Sequence, residues 1–191
     1  MSVNVKVQQA GLVLAGQYRS HQLYSLEDRL MPRDLDEAYL IQREFQKHIS
    51  EEQGAIAGYK LAATTKALQD ANGVSEPCLG IMLEDNIRRS PSTLKASEFL
   101  QLGLECEVAV RLGIDLAPSG APYDRGRVSE AVESLSAAFE VIDIRRTPDM
   151  DPKIQFITGV AANVFNAGVV MGDPVSEWRN LDLQAAYGSM S

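Results

Sequence analysis

The sequence predicts an α+β fold, helices first and strands after, and three observations carry that reading. Residues 34–54 have the pattern of a capped amphipathic helix. Residues 102–112 alternate apolar and polar positions as a half-buried strand does. Few segments between the later strands read as crossover helices, which a doubly wound parallel sheet would need.

Taken in order, roughly Val5 to Arg19 predicts a first helix, interrupted by Gly11 and Gly16. Asp34-Leu-Asp-Glu37 after Pro32 predicts a capping box, with Asp34 as N-cap and Glu37 three positions on. The helix it opens carries Ala38, Ile41, Phe45 and Ile49 on one face and stops at Gly54. Ile56 to Leu61 is strand-like, Thr65 to Asp70 a turn or short helix ended near Asn72-Gly73, and Cys78 to Leu83 a short apolar run. Pro118 to Pro122 reads as a loop. Ser129 is expected to cap a helix carrying Val132, Leu135 and Ala138, followed by a strand from Phe139 to Ile144. A polar stretch around Pro148 and Pro152 precedes residues 159–166 and the apolar run Gly168 to Gly172. Leu181 and Leu183 begin a last strand-like segment. The division expected is a helical N-terminal cap, residues 1–54, and a β-rich catalytic domain, residues 55–191.

The 191 residues suffice for one domain, or one plus a small cap. Hydrophobic content of 45% and charged content of 23% are those of a globular protein. With 18 basic against 26 acidic residues the net charge is −8, and no Lys/Arg stripe forms, so no nucleic-acid or anionic-membrane partner is expected. Cys78 and Cys106 have no metal-ligand or redox spacing and read as reduced thiols, Cys106 as a small hydrophobe on the apolar side of its strand. There is no signal-peptide pattern and no apolar run of about 18 residues, and the expected compartment is the cytoplasm.

The chemistry concentrates in the 102–112 strand. Leu102, Leu104, Cys106, Val108, Val110 and Leu112 share one side, and Glu105 and Glu107 share the other with Cα atoms about 6.6 Å apart. Two carboxylates so placed repel unless a positive charge lies between them. A hard divalent cation supplies it, Mg²⁺ or Mn²⁺ by ligand type. The alternative is a solvated acidic face on an edge strand. Glu140 lies in the apolar run Phe139-Glu-Val-Ile-Asp-Ile144, where an unpaired carboxylate is costly. Asp143 and Arg145 are spaced to pair, and Lys60 sits between Tyr59 and Leu61 in apolar company that suits an acid–base role.

Together, Gly58-Tyr-Lys-Leu-Ala-Ala-Thr-Thr-Lys-Ala-Leu-Gln69, Glu105-Cys-Glu107, Glu140-Val-Ile-Asp-Ile-Arg145 and Asn163 before Gly168-Val-Val-Met-Gly172 resemble the 2-keto-4-pentenoate hydratase and 4-oxalocrotonate decarboxylase branch of the fumarylacetoacetate hydrolase superfamily. The resemblance implies a helical cap on a mixed β-sandwich roll, like the fumarylacetoacetate hydrolase C-terminal domain, assembled as homo-oligomers, with a complex with a pathway enzyme as a further association. It implies Glu105, Glu107 and Glu140 as ligands of Mg²⁺ or Mn²⁺, Lys60 and Asp143 as catalytic residues, and Arg145 and Asn163 as substrate-binding residues. The substrate class it implies is a small 2-hydroxy or 2-oxo dienoate from aromatic-compound degradation. The reaction would be hydration, with decarboxylation of 4-oxalocrotonate as the alternative.

The chain departs from the family pattern in three ways. The only histidines, His21 and His48, fall in the N-terminal segment, which ranks hydratase or decarboxylase above a histidine-dependent hydrolase. Ala162, Val164 and Phe165 replace acidic and small polar positions around Asn163, which points to a bulkier or more apolar substrate. The family pattern continues for several strands past the equivalent of Ser191, so the β-rich domain is expected to be incomplete and the chain a fragment or a non-catalytic subunit.

Overall fold

The computed structural model describes residues 2–148, 150–183 and 185–187. Two long helices open it, α1 (Val3–Arg19) and α2 (Leu35–Gln53). Gly11 does not break α1. It lies at the crossing of the two helices, where a Cβ would fall 2.6 Å from the Glu44 Cβ. The residue that weakens the helix locally lets it approach α2 closely. The α2 start is half of the expected capping box. Asp34 accepts from the Glu37 N–H at 2.9 Å. The Glu37 carboxylate turns instead to the Arg33 N–H at 2.8 Å, the Arg33 side chain and Lys6 at 2.7 Å. Two cations on one side outcompete the neutral Asp34 N–H.

β1 (Ile56–Ala62) and β2 (Cys78–Leu83) pair antiparallel, with α3 (Lys66–Asn72) between them, capped by Thr65 and closed by left-handed Gly73. The second sheet holds β3 (Ile87–Arg89), β4 (Leu102–Leu112), β5 (Val132–Asp143) and β6 (Asn166–Met171) in the order β3-β6-β5-β4. Only the β3–β6 pair is parallel, so the sheet is mixed. Helices α4 (Arg125–Ala131) and α5 (Pro152–Ala161) precede β5 and β6. The architecture is α+β, as the order of elements predicted, and the strand pairing is mixed.

The main apolar cluster runs without a break across residue 54. Leu14, Ile41 and Phe45 of the first two helices pack with Cys78, Ile81 and Leu83 of β2 and Val160 to Ala162 at the end of α5. Gln42 ties the three layers by donating to the Leu79 and Val160 carbonyls at 2.9 and 2.7 Å. α5 has no counterpart in the sequence reading, although Asp151 accepts from the N–H groups of Lys153 and Ile154 with Pro152 in the first turn.

Three expectations need correction. The helix capped by Ser129 is instead Arg125–Ala131, capped by Asp124, and Val132, Leu135 and Ala138 lie in β5. Their three-residue spacing imitates a helix, but a ladder with β4 from Leu102↔Asp143 to Leu112↔Val132 holds the segment extended. The apolar side of β4 is not buried. The strand is at the edge of its sheet, with Leu104 44%, Val108 57% and Val110 54% exposed, and Cys106 is exposed too. Leu181 and Leu183 are not in a strand. The extreme end of the expected β-rich domain, 188–191, lies outside the described residues. No helix among the described residues is long and apolar enough to cross a membrane.

Candidate metal centre

The β4–β5 ladder sets Glu105 directly opposite Glu140, and Glu107 follows two positions on, so all three project to one face. One carboxylate oxygen from each lies within 4.8 Å of the others, the one such cluster among the described residues. Directly opposed carboxylates destabilise a bare ladder. The arrangement suits a hard cation, which takes carboxylate oxygens and has room for further ligands on the open side, where Glu105 and Glu107 are exposed. The three acids thus fit a divalent metal.

Glu140 is 4% exposed. Its Oε1 accepts from Lys60 Nζ at 3.1 Å and from Asn166 Nδ2 at 3.0 Å. Burial pushes its carboxyl above the usual range. Lys60 and Asn166 oppose that rise, and Glu105 adds to it. Lys60 reaches Glu140 because β1 turns it inward between exposed Tyr59 and Leu61, beside Gly80, where a Cβ would stand 3.1 Å from the lysine Cγ. Among the described residues the three carboxylates meet one ammonium, Lys60 at Glu140, so the centre keeps a negative balance that draws cations.

Asp143 and Arg145 lie on the same chain segment but turn to protein groups. Asp143 Oδ1 accepts from the Leu100 and Gln101 N–H groups at 2.8 and 3.0 Å, and Oδ2 from Arg145 Nε at 2.7 Å. Arg145 donates onward to the Gln17 and Tyr18 carbonyls in the last turn of α1, and its guanidinium stands 5.0 Å from the Tyr18 ring centroid. The pair braces the end of β5 against the negative end of α1.

Asn163 is 3% exposed and joins layers rather than facing the carboxylates. It donates to the Ile81 carbonyl at 3.0 Å and accepts from the Ile81 N–H at 2.8 Å and Gln46 at 3.2 Å. Asn163, Val164 and Phe165 all have left-handed backbones, with φ of 59°, 52° and 58°. Such residues cost about 1–3 kcal/mol each and persist where the surroundings over-determine them. Here Asn163 is held by Ile81, and Phe165 stacks on Tyr24 at 6.2 Å. Asn166, which the turn delivers to Glu140, was not among the residues singled out by sequence. A polar residue heading the apolar run of β6 was the only signal. His21 and His48 are not in the cluster.

No family model matches the chain. It is 30% identical over 155 residues to 2-oxo-hept-4-ene-1,7-dioate hydratase of Escherichia coli, covering 78% of this chain and 57% of that protein. It is 28% identical over 181 residues to 2-keto-4-pentenoate hydratase 1 of Dechloromonas aromatica (strain RCB), covering 95% of this chain and 67% of that one. The chain therefore spans between about half and two thirds of the length of these relatives. Its fold matches that of 4-oxalocrotonate decarboxylase from Pseudomonas putida G7, complexed with magnesium and adipate, with a TM-score of 0.81 at 21% identity over 96% of this chain and 68% of that one.

Proposed function

We propose that this relative of the 2-keto-4-pentenoate hydratases is a metal-dependent hydro-lyase that adds water to a 2-hydroxy-2,4-dienoate. The observation that carries the reading is the convergence of Glu105, Glu107 and Glu140 beside a buried lysine. Glu105, Glu107 and Glu140 would hold Mg²⁺ or Mn²⁺. Bound there, the ion supplies positive charge for the C1 carboxylate and C2 oxygen of a 2-hydroxy acid, where negative charge develops as the dienol tautomerises.

This chain's residues do the rest. Lys60, within hydrogen-bond reach of Glu140, holds a proton at Nζ beside the reacting carbons and exchanges it as the dienol becomes a conjugated enone, to which water adds at C4. Glu140 steadies the ammonium between transfers. Asp143, Arg145 and Asn163 act through position: the first two fix the end of β5, and Asn163 fixes the β2 strand behind Lys60. Residues 1–54 act as the cap in this reading, over a β-rich domain of the fumarylacetoacetate hydrolase type. The protein works in the cytoplasm as a homo-oligomer on a small molecule.

The test is turnover of 2-hydroxypenta-2,4-dienoate with Mn²⁺, followed as loss of the conjugated-dienol absorbance and appearance of 4-hydroxy-2-oxopentanoate by NMR. Hydration abolished in Glu105→Gln supports the reading. Carbon dioxide released from 4-oxalocrotonate, with no hydration, replaces it by a decarboxylase. No turnover of either substrate by a folded, Mn²⁺-loaded protein overturns it in favour of a non-catalytic subunit.

A further inference from the structure

We infer that Asn166 is a positioning residue for the metal centre, holding Glu140 so that it offers a cation a single oxygen, Oε2; this rests on the metal-site reading above. Both contacts to the Glu140 carboxylate fall on Oε1, the Lys60 ion pair at 3.1 Å and the Asn166 hydrogen bond at 3.0 Å. No hydrogen bond from the described residues falls on Oε2. An ammonium on a flexible stem gives charge without direction, because its three donors rotate freely. A planar amide gives direction. Facing a carboxylate, which only accepts, the amide must present its Nδ2, so its orientation is determined as well.

The backbone around Asn166 is built to hold that amide still. Asn166 opens β6 and pairs with Ile142 of β5, two residues from Glu140, next to a register shift between Val141 and Ile142. The left-handed turn Asn163–Phe165 comes immediately before it. That turn is pinned on one side by the Asn163 bonds to Ile81 and on the other by Phe165 against Tyr24. Two residues later Gly168 has φ 140°, and a Cβ there would meet the Asn86 carbonyl oxygen at 2.6 Å, so β6 cannot slide to another position. The strained segment thus presents one asparagine to β2 and another to the carboxylates. With Oε1 held by Asn166 and Lys60, Glu140 would offer a cation Oε2 alone, beside the oxygens of Glu105 and Glu107. Without Asn166 the carboxylate can swing about Lys60 and offer both oxygens.

The test uses Mn²⁺ alone with the whole chain. Affinity is read from the electron paramagnetic resonance of free Mn²⁺, and the waters left on the bound ion from water-proton relaxation. Asn166→Leu removes the donor at similar volume, and Asn166→Ser retains one. Thermal melts of the metal-free proteins run beside them. The inference predicts that Asn166→Leu weakens Mn²⁺ binding about tenfold or more, the range seen when groups behind metal ligands are removed. It also predicts a lower relaxation enhancement, because a bidentate Glu140 displaces water. Asn166→Ser should stay within about threefold of wild type. Affinity and relaxation both unchanged in a folded Asn166→Leu overturn the inference and leave the metal-site reading standing. If Asn166→Leu melts out, Asn166→Ala decides by the same two readouts. A loss of affinity matched by loss of fold in all three variants also overturns it, and a wild type that binds no Mn²⁺ overturns both readings.

Discussion

Replacing Lys60 by Met removes the only cation among the described residues that pairs with the buried Glu140 carboxylate. The side chains of the two residues are 7% and 5% exposed, so water replaces the ammonium only poorly. Removing one partner of a buried pair costs about 3–5 kcal/mol, because the remaining charge stays desolvated. For a chain of this size 1 kcal/mol moves the melting midpoint by about 2–4 °C, so metal-free Lys60→Met should melt about 6–20 °C below wild type. Two dependences identify the cause. Burial raises the Glu140 carboxyl in the folded protein, and Lys60 is the largest opposing influence, so its loss raises that carboxyl further. A carboxyl raised in the folded state is destabilising while ionised, and the fold recovers as pH falls through the raised value and the group takes up a proton. The deficit should therefore be smaller at pH 5 than at pH 8. Mn²⁺ should also restore more stability to the variant than to wild type, since it replaces the lost charge; simple mass action at about 100 times Kd adds about 2.7 kcal/mol to a protein that binds it. Circular-dichroism melts of both proteins at both pH values, with and without Mn²⁺, give the four differences. A variant that melts within about 1 °C of wild type at pH 8 refutes the reasoning, because Glu140 would then not be a buried charge in need of a partner.

Three further outcomes follow from the fold. Phe45 is 1% exposed and meets Tyr18 and Tyr24 edge to face, so Phe45→Ala should lose about 3–5 kcal/mol in urea unfolding, with a loss under 1 kcal/mol showing that the helical layer is not the core. At Glu37 burial alone would push the carboxyl up, but the hydrogen bonds from Lys6 and from the Arg33 backbone and side chain prevail and hold it at about 2, against an ordinary 4.5. A depressed carboxyl stabilises the fold above its unfolded value and loses that contribution as pH falls through the folded one, so wild type and Glu37→Gln should differ by about 2 kcal/mol at pH 7 and converge between pH 4.5 and 2; a difference unchanged at pH 2 contradicts the ion-pair account. Val108→Thr, on the exposed apolar side of β4 opposite the glutamates, should change stability by less than about 0.5 kcal/mol, and a loss above 1.5 kcal/mol would show that side to be covered.

The sequence was most legible where a local rule and the tertiary fold agree. Asp34 and Gly54 bound α2 on both readings because capping is local chemistry. The alternation in β4 announced the strand and put its two glutamates on one side, and the apolar run around Glu140 announced its partner strand. The exposure of β4 was not legible, since alternation says which side is apolar and not whether anything lies against it. Val132, Leu135 and Ala138 misled because a three-residue spacing serves a helix as well as a strand, and pairing with β4 decided between them. α5 hid because Thr158 to Ala161 are buried in succession, which leaves no polar face to set a period. Glu105, Glu107 and Glu140 lie together and Lys60 reaches Glu140, a set that only the family resemblance had joined. Asn166 depends on three left-handed residues in a row, two of them bulky, which no propensity foretells.

The central claim is that the three carboxylates form one cation site. Calorimetric titration of Mn²⁺ into the chain, beside the Glu105→Gln/Glu107→Gln double variant, tests it most directly. The account predicts one site per chain in wild type, lost in the double variant while the melt is retained. No binding by wild type, or the same binding by the double variant, would contradict it.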